Sequence, residues 1–362
     1  MEDKLLNKAI KVLLFIFLLA LVLHYGKPFF VPLTFAGLLS MLLLPVSLKL
    51  EGLGMNKAVA VVLSILLVVL FFGGIIALLA WQISDISKDA PQIEQSIQQK
   101  IQQVKEYISS NLGISHQKQQ ELLQKQQDSS SGGKLASSLS TALASVGAIL
   151  TNFLLVLVYI FLFMYFREHL KKFVLKLFPK TQQAEAGKVI ESSRKVAQKY
   201  ITGLMFMIVG LWIMYSIGFA IVGVKNFFFF AILCGLLEIV PFVGNLIGNI
   251  LTVVVSLAQG GDMNVVIGIL VTYGLVQFIQ SYILEPLVVG SEVSINPIFT
   301  IIGIVAGEFI WGIAGMIMAI PILGITKIVC DHVEPLKPFA FLIGKEKKKD
   351  SSMIDKVKNW FK

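Results

Sequence analysis

The chain has 362 residues, 56% of them hydrophobic and 15% charged, with a formal net charge of +9. Repeated apolar runs near twenty residues exclude an ordinary soluble domain and place the chain in the integral membrane class. The positive charge does not point to nucleic acid, because the basic residues sit in short segments between apolar runs, where cytoplasmic loops face anionic lipid.

In chain order, residues 9–23 form a first predicted span, preceded by Lys4 and Lys8. No small-residue cleavage site follows His24, so this span is expected to be retained. Residues 29–48, with Pro32 and Pro45 near the ends, and residues 58–81 form the second and third. This three-helix part is residues 1–83. Residues 84–140 are polar and rich in Gln and Ser. Within them Ile93, Ile97, Ile101, Val104 and Ile108 make a narrow apolar stripe, either a short coiled-coil seam or a helix resting on membrane or chain. The run from Gln127 to Lys134 reads as a linker. Residues 141–166 supply a fourth span. Residues 167–200 are the most basic stretch, amphipathic and expected on the cytoplasmic surface. Residues 201–330 carry a fifth span, a first interrupted apolar segment at 226–258, a further span at 265–284 and a second interrupted segment at 298–329. Residues 331–362 form a basic tail.

The two interrupted segments organise the rest. A continuous helix over 226–258 would be ~50 Å long, against ~30 Å of hydrocarbon. Its middle holds Pro241, Gly244, Asn245, Gly248 and Asn249. Pro241 removes a backbone donor and turns Val240 away from helical geometry. The second segment has Gly307, Glu308, Gly312 and Gly315 at its middle. Broken backbone at membrane depth is tolerated only where protein or a polar cavity surrounds it. The expected fold is therefore all-α, with six to eight membrane segments, two of them re-entrant hairpins, and an extracytoplasmic helical excursion. Charge places both termini in the cytoplasm, and it does so whether the interrupted segments cross or turn back.

Between residues 201 and 326 the only basic residue is Lys225, and the acids are Glu238, Asp262, Glu285, Glu292 and Glu308. Acids at membrane depth are costly, so Glu238 and Glu308 are the candidates to take up a proton or cation or to bond a polar solute. The plainer alternative is that each braces backbone donors freed by its break. Asn245 and Asn249, four residues apart, supply neutral donors and acceptors on one face, suited to a hydroxylated solute or to helix–helix bonding. Gln277, Gln280, Ser281 and Tyr282 stand on the neighbouring helix. No phosphate-binding Gly-Lys loop occurs, the four histidines are scattered, and Cys234 and Cys330 follow no metal or disulfide spacing. Neither a cofactor nor an enzymatic activity is expected.

Three motifs in order carry a family resemblance. EIVPFVGNLIG at 238–248 resembles an apolar-Pro-aromatic-x-Gly signature at Pro241, Phe242 and Gly244. LEPLVVGSEVSINP at 284–297 matches a Pro…Gly…Pro loop at Pro286, Gly290 and Pro297, and GIAGMIMAIP at 312–321 matches a final segment at Gly312, Gly315 and Pro321. With these the chain resembles the autoinducer-2 exporter family of bacterial membrane proteins. The resemblance implies a polytopic exporter of the cytoplasmic membrane whose two hairpins hold a small-molecule substrate and move in elevator fashion. It also implies a homo-oligomer, expected as a pentamer. Some members resemble Na⁺(Li⁺)/H⁺ antiporters, so a coupling proton or Na⁺ is a second expectation. A reading of a different class is a membrane scaffold that recruits a partner through residues 84–140. Phe242 stands where the family often has tyrosine, and Asn296 where it often has histidine, so neither supplies that hydroxyl or that titrating group.

Overall fold

The computed structural model describes residues 2–88, 95–96, 99, 153–240, 244–289 and 295–345. The stripe from Ile93 to Ile108, the Gln127–Lys134 linker, Pro241, Phe242, Gly290 and the tail from residue 346 lie outside the described residues. Every named element is helical, and an isolated bridge pairs Ile295 with Gly344. In order these are α1 (Glu2–Tyr25), α2 (Lys27–Gly52), α3 (Lys57–Lys88), α4 (Phe153–Tyr165), α5 (Arg167–Lys176), α6 (Gln183–Val222), α7 (Phe227–Leu237), α8 (Gly244–Ala258), α9 (Met263–Ile279), a π-helical turn (Gln280–Val289), α10 (Pro297–Trp311), α11 (Ile313–His332), a 3₁₀ turn (Glu334–Leu336) and α12 (Lys337–Ile343). Among the described residues six helices are long and apolar enough to cross a membrane, or seven if α4 is counted with the helix that follows it.

The sequence separates a basic segment at 167–200 from a fifth span, yet α6 runs unbroken for 40 residues through that boundary. No proline interrupts it, and i,i+3 and i,i+4 pairs of Glu191 with Arg194 (2.5 Å) and Lys195 (3.7 Å) support its polar half. Pro32 and Pro45 likewise leave α2 continuous; each removes one ladder bond, which packed neighbours tolerate in membrane helices.

The chain divides into two units. One comprises residues 32–167 and 202–289. It holds two apolar cores: Ala36, Leu43, Val61, Val68, Ile160 and Met164 between α2, α3 and α4, and a larger one around Leu211, Tyr215, Phe219 and Phe230. Arg167 closes the first core's end, its guanidinium donating to both carboxylate oxygens of Glu51 at 2.8 and 2.6 Å. The pair is largely sheltered, and such forked bonds are the stronger kind. Arg167→Met is therefore expected to lower stability by about 1–3 kcal/mol, read as a fall in detergent melting temperature.

The other unit comprises residues 1–31, 168–201 and 290–362. Its centre is the pair α10 and α11, joined by Gly312 alone at φ 64°. Gly307 and Gly315 lie back to back, so that a Cβ on either would overlap the other's carbonyl. Gly303 faces Leu323 in the same descending order, so the two helices run antiparallel. Gly312→Ala forces a side chain into the left-handed region and is expected to cost about 1–2 kcal/mol in the same melting assay. α1 meets this pair end to end. His24 Nδ1 lies 3.2 and 3.1 Å from the carbonyls of Phe309 and Ile310, and Trp311 Nε1 donates to the Leu23 carbonyl at 2.9 Å. Each helix thus caps terminal carbonyls of the other. Asn296 caps α10: its Oδ1 accepts from Ile298 N at 3.0 Å.

Candidate functional site

α7 is preceded by Asn226, whose φ of 60° turns the chain back from α6. It ends after 11 residues in a turn in which Ile239 N and Val240 N bond to Leu236 O and Leu237 O. α8 then begins at Gly244, which lies so close to the Leu237 carbonyl that no Cβ fits. Further along, Gly248 faces Cys234, and Thr252 Oγ1 is 3.8 Å from Cys234 Sγ. The pairing of 237 with 244, 234 with 248 and 234 with 252 makes α7 and α8 an antiparallel hairpin.

α8 is polar on its inner face and apolar on its outer one. Asn245, Asn249, Thr252 and Ser256 are buried, at steps of four, three and four. Leu246, Ile247, Ile250, Leu251 and Val254 are exposed. That arrangement inverts the soluble pattern and fits a helix whose solvent is lipid.

The buried face meets α6 and α9. Tyr215, fully buried on α6, donates its hydroxyl to Asn245 Oδ1 at 2.6 Å. Asn249 Nδ2 lies 2.8 Å from Asn245 Oδ1, 2.9 Å from Asn245 O and 3.3 Å from the Tyr215 hydroxyl. Asn245 Nδ2 donates to Gln277 Oε1 at 2.7 Å, and Gln277 Nε2 reaches Ser281 Oγ at 3.4 Å. Beside this chain, Gln280 Nε2 donates to Glu238 Oε1 at 2.6 Å. Gln280 opens the π-helical turn, a form often found at functional sites because it re-aims side chains out of helical register. The amide orientations follow from the partners: Asn249 Nδ2 faces three oxygens, and Gln280 Nε2 faces a carboxylate. Amide donors are thereby committed inside the protein, while the acceptors Asn249 Oδ1 and Gln280 Oε1 are buried without a protein partner among the described residues.

Of the sequence candidates, Glu238, Gly244, Asn245, Gly248, Asn249 and Gln277 lie together in this one unit. Glu238 is half-buried at the hairpin turn. Pro241 and Phe242 fall outside the described residues. Glu308 and Gly312 belong to the other unit; Glu308 is exposed on α10, and its carbonyl accepts from Gly312 N at 2.7 Å. Tyr282 is 72% exposed, away from the buried bonds. Sequence reasoning missed Tyr215, which bonds Asn245 and lies within reach of Asn249. It also missed Thr252 and Ser256, whose spacing merely continues that of Asn245 and Asn249. Among the described residues no three His, Cys, Asp or Glu side chains could together hold a metal ion.

Several long apolar helices, a short-helix hairpin inverted toward lipid and a polar cluster beneath it define a multi-pass membrane protein of the transporter class. The chain belongs to the AI-2E family of transporters, whose family model matches residues 12–334. Two Bacillus subtilis (strain 168) proteins, each named "Putative transport protein", are similar to it over most of their lengths. YrrI is 24% identical over 316 residues, covering 84% of this chain and 87% of that protein. YueF is 25% identical over 338 residues, covering 87% and 89%. A protein of the same description from Mycobacterium tuberculosis (strain CDC 1551 / Oshkosh), MT0215, is 27% identical over 316 residues, covering 83% and 82%.

Proposed function

We propose that this transporter exports a small, neutral, hydroxylated solute of the autoinducer-2 kind across the bacterial cytoplasmic membrane. Its solute site is the Asn245–Asn249–Tyr215–Gln277 cluster, with Glu238 and Gln280 at its edge. The observation that carries the reading is the sign of the unmet hydrogen bonds. Buried amide acceptors lack partners while the amide donors are committed, so the fitting ligand brings donors, as a polyhydroxylated molecule does.

In this reading α7 and α8 enter and leave the bilayer by one face. At ~1.5 Å per residue their 11 and 15 residues rise ~17 and ~23 Å, short of the ~30 Å hydrocarbon. Both hairpins, α7–α8 and α10–α11, move as the carrier in elevator fashion, and Glu238 or Glu308 changes protonation with solute load. The basic N-terminal region, the 167–200 segment and the tail hold both termini in the cytoplasm. The assembly is a homo-oligomer, a pentamer in keeping with the family resemblance.

One observation favours a second reading, a Na⁺(Li⁺)/H⁺ antiporter: a carboxylate and unpaired amide oxygens are the hard ligands a small cation takes. Proteoliposomes separate the two. Solute flux that falls in Glu238→Gln and Asn245→Ala supports export, whereas a pH-dye response to added Na⁺ or Li⁺ without solute flux supports antiport. Solute flux left intact in both variants refutes the site.

A further inference from the structure

α8 does not lose its polar face where the cluster ends. Ser256, about 16 Å along the helix from Asn245 at ~1.5 Å per residue, is 4% exposed, and its Oγ has no protein partner among the described residues. One turn further, Gln259 Oε1 is also buried and has no partner among the described residues. Both residues line a cavity of ≈ 520 Å³ where the α6–α7 and α8–α9 turns meet. That volume is in the usual range of small-molecule sites, ~300–1,000 Å³. Lys225 and Asp262 line it too, one charge of each sign, and Gly260 and Gly261 bring bare backbone to its edge. Asp262 is engaged in capping α9, accepting from Val265 N at 3.1 Å, so it holds that wall in place.

We propose that this cavity is a second solute site, a water-filled chamber at the mouth of the transport route. It holds the same donor-rich, uncharged class of molecule on its way to or from the deeper cluster. The inference rests on the transport reading above. Three features argue for it. Gln259 Oε1 is again an unpartnered amide acceptor among the described residues, and the Ser256 hydroxyl can accept as well as donate, so a hydroxylated molecule meets both. The opposed charges of Lys225 and Asp262 sum to no net charge, so the lining favours an ion of neither sign. Buried Thr252 and Asn249 continue the polar edge between the two sites at one-turn spacing, so a solute or its waters meet an oxygen or amide at each turn. The exposed face of α8 offers only hydrocarbon side chains at those levels.

Cysteine accessibility tests the chamber without knowledge of the solute. The chain's own thiols, Cys234 and Cys330, are buried and set the background. Gln259→Cys and Val265→Cys place a thiol on two walls of the cavity, and Leu251→Cys places one on the lipid face of the same helix. The probe is the impermeant cation 2-(trimethylammonium)ethyl methanethiosulfonate, with the anionic sulfonatoethyl reagent alongside. Both reagents are expected to label the two cavity positions on the order of 100-fold faster than Leu251→Cys, because a thiol reacts through its hydrated thiolate. The adduct at Gln259→Cys is then expected to stop solute flux in proteoliposomes. Labelling no faster than at Leu251→Cys overturns the chamber. Labelling by only one sign of reagent overturns its neutral character. A fully labelled protein with undiminished flux overturns its place on the route. Absence of flux in the unsubstituted protein refutes the transport reading itself, and the route with it.

Discussion

Gly248→Leu is expected to give a protein that neither melts cooperatively nor carries solute. A Cβ at this position would stand 2.9 Å from Cys234 Sγ and 3.1 Å from Cys234 Cα. The second of these neighbours is backbone, so a rotamer change cannot relieve it. A leucine here must push α7 away from α8, opening the core that holds Phe230 and Cys234. Overpacking of this kind costs about 1–3 kcal/mol even when the neighbours can yield. Here it also strips the polar edge of α8 from Tyr215 and Gln277. Gly248→Ala is expected to be milder. Pairing it with Cys234→Ala, which removes the sulfur but leaves the backbone crowding, should recover part of the loss. Detergent melting followed by tryptophan fluorescence reads all three. A wild-type melting curve for Gly248→Leu would mean that α7 and α8 do not pack face to face.

The second large effect is expected at Asn245. Replacing it with leucine keeps the branched outline of the side chain but leaves Tyr215 Oη, Asn249 Nδ2 and Gln277 Oε1 each without a bond they now make. An unsatisfied buried group costs about 1–3 kcal/mol in proteins generally, and polar contacts between membrane helices average nearer 0.6 kcal/mol, which together place the loss at about 2–4 kcal/mol. Solute flux should fall to background. Tyr215→Phe should cost less, because Asn249 Nδ2 still reaches Asn245 Oδ1. The double variant Asn245→Ala with Tyr215→Phe should be less harmful than the sum of the two, the signature of one shared network. Strict additivity in the melting assay would refute that network.

The hairpin at 226–258 was legible because its breakers are chemical facts. Proline cannot donate, and Gly244 and Gly248 leave room that any side chain would fill. Asn245 and Asn249 were legible because amides in an apolar run need partners, although the sequence could not say which partners. Tyr215 was not legible. A lone tyrosine among Leu211, Trp212, Ile213 and Met214 looks like packing, and only the fold brings its hydroxyl to residues thirty or more positions away. The length of α6 was hidden for a related reason: charge marks where polarity changes but not where a helix ends, and nothing near residue 200 breaks one. Glu308 and Glu238 differ in their surroundings. Glu308 occupies the place in its segment that Glu238 occupies in the first, yet it is exposed where Glu238 is half-buried.

The end-to-end contact of α1 with α10 bears on how the chain is made. The ribosome releases His24 and Leu23 first, while their partners Phe309, Ile310 and Trp311 emerge some 285 residues later. A nascent chain stopped at residue 289 already contains all of one unit, 32–167 and 202–289, but has only residues 1–31 and 168–201 of the other. During synthesis α1 therefore waits in the bilayer with its carbonyl end uncapped, and the final hairpin completes a structure that the first helix began.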